Sequence, residues 1–83
     1  MKLHELKILP EYAHARQHGR KTDELRKDDR GYEVDDIVLL REWSDGAYYG
    51  WSQLNVITGI LRNHEGLAPG WCILHLAVLE TRR

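Results

Sequence analysis

Gly19, Lys21, Glu24 and Arg26 fall within eight residues that read Gly-x-Lys-x-x-Glu-x-Arg. A lysine, a carboxylate and a guanidinium at that spacing could hold a phosphate, a base edge or a reacting carbonyl. On an extended chain successive side chains alternate between faces, so Thr22, Glu24 and Arg26 share one face while Asp23 and Leu25 take the other. Arg26 brings a planar fork and Lys21 a mobile point charge, both suited to anions, and Glu24 can orient them or accept from a base amino group. Gly19 tolerates a positive φ, so the chain can turn sharply there and leave Lys21 at the mouth of a strand. A catalytic version would have Lys21 and Glu24 move protons, which requires Glu24 to be buried. The plain alternative is a salt-bridged strand face.

The charge around the octet is locally basic and globally balanced. The whole chain carries a formal net charge of −1, which argues against a protein that grips nucleic acid by bulk electrostatics. Between Arg16 and Arg30, six basic residues (Arg16, Arg20, Lys21, Arg26, Lys27, Arg30) face four acidic ones (Asp23, Glu24, Asp28, Asp29). Any polyanion contact is therefore local, with Lys27 and Arg30 as its extension.

Aromatic residues are the second cue. Tyr48, Tyr49 and Trp51 follow Ser44-Asp45-Gly46-Ala47, a loop by its chemistry, and read as a continuation of that loop. Loop aromatics near arginines suit stacking on single-stranded bases, and Tyr49 joins the candidate site on that ground. Trp43 and Trp71 read as plugs for the ends of a barrel. His14 and His18 lie four apart on a predicted helix and could share a face, but no third ligand accompanies them, so no metal or other cofactor is expected.

The elements that must position these groups are short. Leu3 to Leu9 alternates as a half-buried strand ended by Pro10, which suits the first position of a helix over Glu11 to His18. Lys21 to Lys27 is a second strand and Asp28-Asp29-Arg30-Gly31 a turn. Ile37 to Trp43 is a central strand, and Gln53 to Arg62 a long one with a bulge or bend at Gly59. Trp71 to Glu80 closes the set, with Thr81-Arg82-Arg83 as a frayed tail. Five strands and one early helix, without repeated strand-helix alternation, predict a mainly β (α+β) fold: a small β-barrel with a helix at one end. Eighty-three residues make a single domain, 1–83, of soluble globular composition. No apolar run approaches a membrane span and the first residues do not open a secretory signal, so a cytoplasmic protein without membrane contact is expected. Cys72, the one cysteine, suits a reducing compartment.

The octet resembles the signature of ASCH domains, a PUA-like β-barrel family. Further residues extend the resemblance along nearly the whole chain: His4 to Pro10, Lys21 to Arg30, Val34-Asp35-Asp36, Leu40 to Trp43, Tyr49-Gly50 and Gly66 to Trp71 look like a compact branch of bacteria and their phages. The resemblance implies a PUA-like barrel whose signature-lined cleft meets RNA or a nucleotide. Two positions depart from that branch. Asp23 stands where it usually has an apolar residue, which implies a less buried inner face or an edge position. Asp35 replaces a glycine before Asp36, which implies a different loop instead of a tight turn. Some ASCH proteins are amidohydrolases on acetylated cytidine and carry threonine where this chain has Glu24; Thr22 is displaced by ~7 Å along the strand and is a poor substitute.

The resulting expectation is an RNA- or nucleotide-binding domain, monomeric or weakly dimeric, with a cleft built from Lys21, Thr22, Glu24, Arg26, Lys27, Arg30 and Tyr49. The alternatives are a small nucleic-acid-processing enzyme using Lys21 and Glu24, and a phage-type interaction module with an exposed apolar patch from Tyr48 to Trp51.

Overall fold

The computed structural model describes every residue from Met1 to Arg83. The elements run β1 (Leu3–Ile8), α1 (Pro10–Gln17), β2 (Asp23–Lys27), β3 (Ile37–Ser44), β4 (Ala47–Leu61) and β5 (Trp71–Arg82). The strands form one sheet in the order β1-β3-β4-β5-β2, with β1 and β3 parallel and the other neighbours antiparallel. It curls into a half-barrel with β1 and β2 as its two edges. The fold is mainly β, as the strand pattern predicts, with an open seam between β1 and β2.

Each strand buries the face its alternation dictates. His4, Leu6 and Ile8 of β1 point inward, as do Val38 and Leu40 of β3, Ile57 of β4, and Cys72, Leu74 and Leu76 of β5. Pro10 ends β1 and starts α1, whose Ala13 and Arg16 face the core. The helix stops at Gly19, which has φ +70°. Its N–H donates to the Arg16 carbonyl at 3.1 Å and that of Arg20 to the Ala15 carbonyl at 2.8 Å, the two bonds of a Schellman ending. This reversal carries the chain from the end of the helix to β2.

Several boundaries and roles differ from the sequence-based expectation. Asp45 (φ +50°) and Gly46 (φ +83°) form a two-residue hairpin turn, so Tyr48, Tyr49 and Trp51 belong to β4 and not to a loop. A bulge where Arg41 and Trp43 shift register, with Gly50 at φ +84°, absorbs the irregularity there. The bulge expected at Gly59 is present, between Ile57 and Gly59. Thr81 and Arg82 pair with Gln53 and Ser52, so the end of the chain is strand through Arg82. Asp35 keeps a tight turn despite its side chain, at φ +77°, because its N–H donates to the Ile57 carbonyl (2.8 Å) and that of Asp36 to the Glu33 carbonyl (3.1 Å). Asp23 sits on edge strand β2, where its carboxylate meets Nδ1 of His75 at 2.9 Å. Trp43 and Trp71 plug nothing: Trp43 lies on the outer face under the Lys7 ammonium and Trp71 is exposed, while the buried tryptophan is Trp51. The inward period of β4 explains this, since Trp51 shares the parity of Gln53, Asn55 and Ile57.

Candidate functional site

On β2 the usual burial is inverted: Glu24 is 4% exposed and its neighbour Leu25 is 56% exposed. A carboxylate turned inward on an edge strand needs partners, and three cations supply them. Arg26 Nη2 approaches Glu24 Oε2 at 3.3 Å, while Arg16 Nη1 and Lys21 Nζ stand 3.9 and 3.8 Å from Oε1. The last two distances exceed a hydrogen bond. Arg16 comes from the inner face of α1, one turn after Ala13, and is itself buried.

Arg16 is anchored from the opposite wall. Its Nε donates to Gln53 Oε1 at 2.7 Å and its Nη2 to Asn55 Oδ1 at 2.9 Å. Gln53 and Asn55 occupy consecutive inward positions of β4, and Asn55 Nδ2 donates to the Gln53 carbonyl at 3.2 Å. Burial lowers the pKa of Arg16 from the ordinary arginine value, against the attraction of Glu24 and Asp23. Arg16 Nη1, Glu24 Oε1, Arg26 Nε and Trp51 Nε1 are left without hydrogen-bond partners in the interior. Native interiors rarely leave such groups unpaired without a water or ligand to meet them.

The seam beside this network is bridged by side chains where a strand ladder would otherwise close it. Arg26 Nη2 donates to the Lys7 carbonyl at 2.9 Å and Arg30 Nη1 to the Glu5 carbonyl at 3.2 Å, both on the free edge of β1. Two recesses open along the seam and meet at Arg26. One, of about 200 Å³, lies against α1 and is bordered by Lys7, Leu9, Tyr12, Glu24 and Arg26. The other, of about 280 Å³, is bordered by Arg26, Lys27, Asp29, Arg30, Tyr32 and Trp71. The Lys21 ammonium stands 5.3 Å from the centre of the Tyr12 ring.

Glu24, Arg26, Lys27 and Arg30 thus border the two recesses, and Lys21 stands beside Glu24 without bordering either. Thr22 and Tyr49 are both exposed and neither borders a recess. Thr22 precedes β2 and contributes its carbonyl to the Leu76 N–H (3.3 Å). Tyr49 belongs to β4, which is separated from each seam strand by another strand. Of the expected apolar patch from Tyr48 to Trp51, Trp51 is buried in the core, while Tyr48, 3.8 Å from the Arg41 guanidinium, and Tyr49 stay exposed. Sequence reasoning missed Arg16, Gln53, Asn55 and Tyr12. The available signal was the pair of amides at inward positions of β4 between Trp51 and Ile57, which require a buried polar partner.

The family profile described as a domain of unknown function, DUF3850, matches residues 3–76. The chain belongs to this family. The match takes in both sides of the seam and every cation along it, leaving outside the first two residues and the chain from Ala77 onward. The DUF3850 domain is also similar to an uncharacterized 12.9 kDa protein in the GpA 3′ region of Escherichia phage P2, at 41% identity over 49 residues. That match covers 59% of this chain and 45% of the phage protein, so the chain spans less than half of this relative's length. No helix of the DUF3850 domain is long and apolar enough to cross a membrane. A depression of about 260 Å³ on another surface, lined by Leu39, Ser52, Leu54, Glu80 and Arg82, offers only an Arg82–Glu80 pair already closed at 2.8 Å.

Proposed function

We propose that the DUF3850 domain binds single-stranded RNA or a nucleotide in the seam between β1 and β2. The observation that carries this reading is the buried Glu24 at the α1-side recess, ringed by Arg16, Lys21 and Arg26 and left with one oxygen that accepts no hydrogen bond. A surface ion pair needs no such burial, and a purely structural one gains little from it. Lys27 and Arg30, which form no ion pair, add accessible positive charge at the second recess. Tyr12 and Trp71 supply an exposed ring at each end of the groove, suited to base stacking. The resemblance of Gly19 to Arg26 to the ASCH signature supports the same ligand class.

The test is titration with short single-stranded RNA at low salt. Binding weakened by Arg26→Ala and by Lys27→Ala/Arg30→Ala is expected, with a log–log salt slope of about −2 to −3 from the four cations along the groove. Absence of binding, or binding indifferent to these changes, overturns the proposal. A second reading, proton transfer by Lys21 and Glu24 on a modified nucleoside, draws on their 3.8 Å approach. Turnover of acetylcytidine lost in Glu24→Ala would establish it.

A further inference from the structure

The two recesses of the seam differ in chemistry, and the difference orients a ligand. The α1-side recess is lined by Glu24, its one acidic group, with Lys7 and Arg26, an aromatic wall from Tyr12 and apolar atoms of Ile8, Leu9 and Leu25. The Glu24 carboxylate offsets those cations and accepts from N–H groups, so beside the Tyr12 ring this end suits a planar heterocycle. The volume of about 200 Å³ admits one heterocycle. The other recess combines Arg26, Lys27 and Arg30 with a single acidic residue, Asp29, and suits an anion.

Glu24 provides the second, independent observation. It is more than nine-tenths buried and its Oε1 accepts no hydrogen bond, with Arg16 Nη1 beside it making none either. Glu24 Oε1 is thus an acceptor without a hydrogen bond on a residue that lines the recess, the complement of an N–H on a base edge. Lys21, partly exposed, stands 3.8 Å from Oε1 and 5.3 Å from the centre of the Tyr12 ring.

Resting on the reading of the seam as a nucleotide groove, we infer that the groove is polar: the base of one nucleotide enters beneath Tyr12 against Glu24, and its phosphate lies between Lys27 and Arg30, with Arg26 shared between them. The ligand class is a nucleoside phosphate held at both ends, with the phosphate at the Lys27–Arg30 end.

Amide-resolved NMR titration separates the two halves. The probes are the four common ribonucleosides, ribose 5-phosphate, the nucleoside 5′-monophosphates and a short single-stranded RNA. At least one nucleoside should shift the Tyr12, Glu24 and Leu25 signals and leave Lys27 to Arg30 unmoved, and ribose 5-phosphate should do the reverse. The matching monophosphate should move both and bind about tenfold more tightly than either fragment, since the second contact becomes intramolecular. Glu24→Gln and Tyr12→Ala should each weaken the nucleoside about fivefold or more and spare ribose 5-phosphate, while Arg30→Ala does the opposite. Tyr12 is half-exposed, so its variant keeps the test valid where Glu24→Gln disturbs the fold. Ribose 5-phosphate shifting Glu24 and Tyr12, or every nucleoside leaving that end unmoved while RNA still perturbs the seam, would overturn the orientation and spare the groove. No response to any probe, RNA included, would overturn both.

Discussion

Two carboxylates of this domain are equally hidden and differently treated. Asp36, 1% exposed, accepts from the Lys2 N–H at 2.8 Å, the Glu33 N–H at 3.0 Å and His4 Nε2 at 2.9 Å, and His4 in turn packs on Tyr32 at 4.8 Å between ring centres. Glu24, 4% exposed, has cations around it and one oxygen that accepts no hydrogen bond, with Arg16 and Lys21 at 3.9 and 3.8 Å. Asp36 ties the entry of β1 to the turn before β3, and its bonds hold its pKa down to about 2, with His4 contributing most. A closed set of hydrogen bonds marks a structural carboxylate. The open set at Glu24, next to a recess, is what the proposed ligand reading rests on.

The comparison breaks most visibly at Asp36. Asp36→Ala strands three donors at once and should lower the melting temperature by roughly 10 °C or more, while protein that remains folded keeps its RNA affinity. If Glu24 is instead the structural group, Glu24→Gln will cost as much as Asp36→Ala by calorimetry. The expectation is a change of only a few degrees, roughly 5 °C or less, with ligand binding reduced.

Acid titration sharpens the same contrast. Because the folded-state pKa of Asp36 lies below the ordinary carboxylate value of about 3.9, its contribution to stability is complete above that value and is lost as pH falls toward about 2. Denaturant unfolding between pH 5 and pH 2 should show the decline, and Asp36→Asn should remove part of it. A smaller effect is expected at Asp35, whose φ of +77° glycine adopts without strain. Asp35→Gly should stabilise by about 0.5–1 kcal/mol, measured by urea unfolding. Tyr49→Ala should be smallest of all, with RNA affinity unchanged within about twofold, since Tyr49 lies outside the seam.

Much of the scaffold was legible because local chemistry decides it. Pro10 and Gly19 bracket the helix, Gly59 announces a bulge, and the alternation of β1 names its buried face. The misreadings cluster where turn length had to be judged: Asp45-Gly46 is a complete hairpin turn, and placing Tyr48 to Trp51 in a loop hid the burial of Trp51. The site was half legible. Gly19 to Arg26 marks Glu24 and its near cations, and strand alternation correctly aligns Glu24 with Arg26. Arg16, Gln53 and Asn55 lie on other elements, so no local pattern joins them to Glu24.

The sequence by itself determined where most of the strands and the helix begin and end, and that one strand would carry ionic residues on a single face. Those are properties of neighbours along the chain, fixed by backbone preference and side-chain alternation. Only the tertiary structure decided that this face turns inward, that α1 delivers a guanidinium to it from 8 residues upstream, and that β1 and β2 stay apart with Arg26 and Arg30 spanning the gap. Those outcomes depend on the curl of the sheet and on contacts between strands distant in sequence, where burial and hydrogen bonding are settled together.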